Sequence, residues 1–116
     1  FTRHAGLFGT IDGLARTLLN FDKKFNLLDK FKTRSDKRFH LGFDTVENPE
    51  QTLAGAGCSP LTFGHLGFTG TSFWIDPEKK RGHIILTNAT KLYWYDKNNL
   101  NKFRREFGAD VWNSQN

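Results

Sequence analysis

An imidazole set among glycines and hydroxyls marks the densest chemical stretch of this sequence, Phe63-Gly64-His65-Leu66-Gly67-Phe68-Thr69-Gly70-Thr71-Ser72-Phe73-Trp74-Ile75-Asp76. At physiological pH a histidine serves as cation or as neutral donor, so His65 suits a contact with an anionic group or service beside a base. Trp, Phe, Ile and Thr favour an extended, half-buried backbone. Glycine inside a strand removes a side chain to pack, and is tolerated where a ligand or another chain segment comes close. The mixture predicts one strand over residues 63–76 whose edge lines a cleft, with Thr69 the best-placed hydroxyl for a cleft contact.

Elsewhere such groups are sparse. Of the four histidines, no two have metal-ligand spacing, and the single cysteine, Cys58, excludes an internal disulfide and a multi-cysteine zinc site. No metal or cofactor is expected. His4 is given a structural role in the turn before the first helix, and His40 and His83 read as ordinary strand residues. Cys58 reads as a small packed residue, because a nucleophilic role needs a nearby base. Ser35, Ser59, Ser72 and Ser114 have no lysine three residues on, and neither Tyr93 nor Tyr95 begins a Tyr-x-Asn.

The elements that must position His65 follow from the pattern around it. Thr10 suits an N-cap, with Asp12 in the first turn where a carboxylate complements the helix dipole. Ile11, Leu14, Ala15, Leu18 and Leu19 then recur at helical spacing over residues 11–21. A second helical piece runs from Leu27 to Thr33. The period changes at Phe39–Thr45, which alternates as a short strand. Loop follows through Pro60, then the 63–76 strand, a turn over Asp76–Gly82, and an apolar strand His83–Asn88 that forms a hairpin with its predecessor. A terminal helix near 97–107 places Leu100, Phe103 and Phe107 on one face, with Gly108 as its stop. The order helix, helix, three strands, helix predicts an α+β fold, an antiparallel sheet flanked by helices. Three strands are few, so strands supplied by another segment are expected.

The 116 residues fit one domain with a core built largely on twelve Phe and three Trp. The net charge of +5 is dispersed in short runs flanked by acidic residues, a solvated basic surface rather than a nucleic-acid stripe. No apolar run approaches the length of a membrane span. The chain opens on Phe1-Thr2-Arg3-His4, neither a signal peptide nor an initiator Met, and reads as a mature or internal piece.

The 63–76 stretch, followed by Pro77 and Ile85-Leu86-Thr87-Asn88, resembles the third motif region of the serine β-lactamase/penicillin-binding-protein superfamily, in its class C-like branch with D-alanyl-D-alanine carboxypeptidases and esterases. His4-Ala5-Gly6-Leu7-Phe8-Gly9-Thr10, with Asp12, Leu14, Ala15 and Arg16, resembles the start of a helix in the same branch. The resemblance covers nearly all of residues 4–88.

That resemblance implies the β-lactamase/transpeptidase-like fold, with residues 1–116 as the C-terminal part of one domain. It places His65 where the family has Lys or His, Leu66 where it has Thr, and Gly67 at its glycine. The backbone N–H of Phe68 then completes the oxyanion hole. His65 and Phe68 are the implied catalytic positions; Gly67, Leu66 and Thr69 are the implied substrate contacts. Leu66 lacks the family's hydroxyl, which leaves an esterase-like specificity open beside β-lactam or D-Ala peptide substrates. The implied partners are the N-terminal segment or chain carrying the nucleophile and a small-molecule or peptide substrate, with no nucleic acid. The implied compartment is the bacterial periplasm or cell envelope, the cytoplasm remaining open. A non-catalytic binding module on the same fold is the alternative.

Overall fold

Thr10 does cap the first helix: its Oγ1 accepts from the Gly13 N–H at 3.0 Å. In the computed structural model, which describes residues 9–31, 39–40, 42–67, 70–87 and 98–114, this helix, α1, runs Ile11–Phe25. That is one turn further than its apolar pattern predicts. It ends at Asn26, whose left-handed backbone (φ 51°) turns the cap N–H onto the Asp22 carbonyl. The Asp22 side chain receives the Leu28 N–H at 2.9 Å and so starts a single turn, α2, Leu27–Lys30. The expected continuation to Thr33 lies outside the described residues.

The sheet has five antiparallel strands in sequence order: β1 Phe39–His40, β2 Phe43–Thr45, β3 Phe63–Leu66, β4 Ser72–Asp76 and β5 Arg81–Ile85. Three strands were expected, and both extra ones arise at glycines. Phe39–Thr45 is a hairpin rather than one strand, bending beside Gly42 (φ 86°). The 63–76 stretch is also two strands: the Gly67 N–H bonds the Thr71 carbonyl at 2.7 Å and the Gly70 N–H bonds the Gly67 carbonyl at 3.1 Å. Alternating β-branched and aromatic residues look alike in one long strand or two short ones. The sheet therefore reaches ordinary size among the described residues. The β4–β5 hairpin forms as predicted, although β5 starts at Arg81 and ends at Ile85 where His83–Asn88 was expected, and Asn88 lies outside the described residues.

Register sorts the side chains onto two faces. Asp44, Gly64, Trp74 and His83 lie in one cross-strand row; Thr45, Phe63, Ile75 and Gly82 lie in the next, on the opposite face. On the second face Phe31 stacks on Phe63 at 3.9 Å, with Phe43 edge-on and Leu28 and Ile75 alongside. On the first, Trp74 packs with Val46, Ala54, Cys58 and Trp112.

Trp112 belongs to the last helix, α3, Asn98–Trp112. Gly108 was expected to stop this helix, yet the helix runs through it. A Cβ on Gly108 would fall 1.8 Å from the Ala54 carbonyl oxygen. The glycine lets helix and loop backbones touch, and the buried row is Arg104, Gly108 and Trp112. Phe103 and Phe107, the expected inner face, stack on each other near the surface.

Two cations close the far end of α3. Lys79 Nζ donates to the Gly57 carbonyl and, at 3.3 Å, to that of Trp112. Arg81 donates to the carbonyls of Val111, at 3.2 Å, and Ser114, satisfying helix-end acceptors with positive charge. The turn bearing Lys79 hangs on Asp76, fully buried. Its carboxylate accepts from the Ser59 N–H and hydroxyl and from the N–H groups of Glu78 and Lys79, at 2.6–3.2 Å. Among the described residues, no helix is long and apolar enough to cross a membrane.

Candidate active site

His65 is exposed near the C-terminal end of β3, opposite Phe73. Its neighbour Gly64 is there for a different reason. A Cβ at Gly64 would come within 1.9 Å of the Phe73 carbonyl oxygen and 2.9 Å of the Trp74 ring. That glycine admits β4 rather than a ligand, contrary to the expectation that the strand's glycines line a cleft. The strand is also not paired along its whole length. On the β2 side, described pairing stops at Gly64, whereas on the β4 side it continues through His65 and Leu66. From His65 onward one backbone edge of β3 is without a ladder partner among the described strands, which is the geometry an added extended segment uses.

The pleat places His65 and Leu66 on opposite faces. His65 shares its face with Phe63, while Leu66 packs against the cluster of Trp74, Ala54 and Trp112. The structure thus leaves His65 exposed beside the open edge, commits the Gly67 N–H and carbonyl to the β3–β4 turn, and turns the Leu66 side chain to the core. Leu66 also borders a groove of about 240 Å³ shared with Asp44, Glu47, Gln51 and Trp74. Phe68 and Thr69 lie outside the described residues. A larger groove of about 890 Å³ runs between α1 and β4–β5, lined by Ile11, Leu18, Leu19, Ile75 and Ile84. None of the described site residues lines it, so His65 and this apolar space are in different places.

Periodicity did not reveal Arg104. Its side chain is buried, 3 % exposed, beneath the β3–β4 turn. Nη2 donates to the Thr71 carbonyl at 3.1 Å and, more weakly, to the Gly67 carbonyl at 3.4 Å, while Nη1 donates to Asn101 Oδ1 at 3.0 Å. Nε has no partner among the described residues. Burial pulls its pKa below the ordinary arginine range, although arginine stays charged in proteins. The signal was there as Asn101 and Arg104 at i, i+3, but a charged residue on a helix reads by default as solvated.

The remaining candidates are structural. Burial, reinforced by the nearby Asp76 carboxylate, holds the Cys58 thiol above its ordinary range despite a hydrogen bond with Thr62, so at neutral pH it is no thiolate nucleophile. His83 is buried with Nε2 3.2 Å from the Ala54 carbonyl. That carbonyl fixes the Nε2–H tautomer, and burial lowers the ring's pKa. His4 and the His40 side chain lie outside the described structure. Among the described residues, no group of three or more His, Cys, Asp or Glu is arranged to hold a metal.

Residues 2–102 match the family model described as Beta-lactamase. A protein named "Putative D-alanyl-D-alanine carboxypeptidase" from Escherichia coli (strain K12) is 34% identical over 98 residues, an alignment covering 73% of this chain and 23% of the relative. A protein of the same name from Salmonella typhi is 36% identical over 100 residues, with 73% and 23% covered. The chain therefore spans about a quarter of the length of the curated relatives it matches. No solved structure matches it.

Proposed function

The chain belongs to the Beta-lactamase family, and on that premise we propose that it forms part of a serine hydrolase acting through an acyl-enzyme on β-lactam, D-Ala peptide or ester substrates. Residues 1–116 would be the C-terminal part of its domain, in the cell envelope. The observation that carries this reading is β3 itself: an exposed His65 beside a backbone edge that, on the β2 side and among the described strands, is unpaired beyond Gly64. A substrate lying along that edge meets His65, which holds its anionic group or tunes the base. Gly67 and Thr69 offer contacts, although the space beside Gly67 that a Cβ would fill is taken by the Thr71 side chain. The Phe68 N–H supplies half of the oxyanion hole.

The nucleophilic serine comes from outside residues 1–116, which contain no Ser-x-x-Lys. Its oxygen bonds to the substrate carbonyl carbon while the C=O π pair moves onto oxygen. Collapse of that oxyanion breaks the bond to the amine or alcohol, which leaves with the proton taken from serine. Water then repeats the sequence on the acyl-serine. Leu66, turned to the core, offers no hydroxyl to a substrate carboxylate and favours the ester-like end of the range.

The test is acylation of the full-length protein by a penicillin and by a nitrophenyl ester, read by mass spectrometry of intact protein and peptides. The expected result is one acyl group on a serine outside residues 1–116, with His65→Ala lowering kcat/KM by about 100-fold or more, as loss of a positioned acid–base group does. Tight ligand binding with no adduct and no turnover would instead favour a non-catalytic binding module, the reading that the missing Ser-x-x-Lys favours.

A further inference from the structure

We propose that Arg104 is a positioning residue for the oxyanion hole, holding and polarising the peptide group whose N–H faces the reacting carbonyl. This rests on the reading of the Phe68 N–H as an oxyanion donor. The argument starts from covalent structure: the Gly67 carbonyl and the Phe68 N–H belong to one planar peptide unit. In a trans unit, nearly universal before a residue other than proline, C=O and N–H point in opposite directions. Whatever holds and polarises the Gly67 oxygen therefore acts on the peptide unit to which that N–H belongs.

Two donors reach that oxygen, the Gly70 N–H at 3.1 Å and Arg104 Nη2 at 3.4 Å. Nη2 also holds the Thr71 carbonyl at 3.1 Å, and Thr71 in turn receives the Gly67 N–H at 2.7 Å. One guanidinium thus ties both ends of the β3–β4 turn. Asn101 Oδ1, one turn earlier on α3, holds its other nitrogen.

Its surroundings make the charge effective. Arg104 is 3 % exposed, and its partners among the described residues are two backbone carbonyls and one side-chain amide, none a carboxylate. An arginine buried with no carboxylate among its described partners is a costly choice for a purely structural tie. A cation on the carbonyl end of a peptide draws electron density from its nitrogen and strengthens the N–H as a donor. In a low-dielectric setting that influence is larger than in water. Preorganised donors of this kind are where acyl-transfer enzymes gain much of their rate.

The test uses the full-length enzyme, comparing wild type with Arg104→Gln and Arg104→Lys. The first readout is the infrared stretch of the acyl-enzyme ester carbonyl, which moves to lower frequency as oxyanion-hole donors strengthen. The second is the kcat/KM ratio for an oxygen ester over its thionoester, whose sulfur accepts hydrogen bonds poorly. The expected result is a carbonyl band at higher frequency in Arg104→Gln. The oxygen-ester rate should fall by about 10–100-fold, less than the full loss of a donor, with a much smaller change for the thionoester. Arg104→Lys, which keeps charge but not the fork, should fall between, and it carries the comparison alone if Arg104→Gln does not fold. An unchanged band and an unchanged ratio in a folded variant would overturn the positioning role while leaving the hydrolase reading intact. Absence of any acyl-enzyme in wild type would overturn both.

Discussion

The two fifteen-residue helices lie on opposite faces of one sheet and are held in opposite ways. α1 carries the cleaner amphipathic pattern, yet none of its residues is buried, and Leu19 remains 63 % exposed beside the 890 Å³ groove. α3 has the poorer pattern and buries an arginine, a glycine and a tryptophan. Its attachment depends on specific contacts. The Trp112 Nε1–H donates to the Ala54 carbonyl at 2.7 Å, Gly108 touches the same loop, and Lys79 and Arg81 bond the last-turn carbonyls. An apolar stripe shows that a helix can be covered, whereas close packing depends on which backbone or polar partners come within reach.

Truncating the anchor on each helix tests this contrast most strongly. Trp112 is 2 % exposed and donates a buried hydrogen bond; Trp112→Ala is expected to destabilise by about 3–5 kcal/mol, as large-to-small core changes do. Leu19→Ala, on a half-open face, should change stability by less than about 1 kcal/mol. Urea denaturation of both variants reads the difference, and comparable losses would sink the contrast between the two faces.

Gly108→Ala gives the next largest effect and a change of sign against propensity. At an exposed helix interior this substitution gains roughly 1 kcal/mol. Here the new methyl would sit 1.8 Å from the Ala54 oxygen, so a loss of about 1–3 kcal/mol is expected from overpacking. Gly13→Ala on α1 is the matching control: its nearest neighbour would be Thr10 Oγ1 at 3.2 Å, with no backbone in the way. A stabilised Gly108→Ala protein would contradict the close approach of helix and loop.

The same contrast explains what the sequence made legible. The α1 start was readable because Thr10, Asp12 and the apolar spacing are local signals, each acting within one turn. The α+β class and the β4–β5 hairpin followed from period and turn residues. Gly108 and Arg104 were not readable, because their roles depend on Ala54 and Gly67, 54 and 37 positions away in the chain. Gly64 misled for a related reason: a glycine admitting a neighbouring strand and one admitting a ligand have the same local pattern. His65 stood out through the glycines and hydroxyls around it and through the family resemblance, whereas its exposure and the incompletely paired edge beside it are visible only in the structure.

The smallest effect probes the α3 face through pH. His83 lies between Ala54 and the rings of Phe107 and Trp112, at 5.4 and 5.1 Å, and burial lowers its pKa from the ordinary value of 6.5. A lowered histidine pKa means that the unfolded chain binds the proton more readily than the folded one. The stability from holding the ring neutral is full above about pH 6.5 and lost as pH falls toward the folded value. His83→Gln keeps a donor for the Ala54 carbonyl but cannot titrate. Between pH 7 and 5 the variant should lose less stability than wild type, by up to about 1.4 kcal/mol per pH unit for a single proton. Because all other titrating groups are common to both proteins, the difference between their urea midpoints isolates this ring. Parallel pH profiles would mean that His83 takes up its proton without disturbing the α3 face.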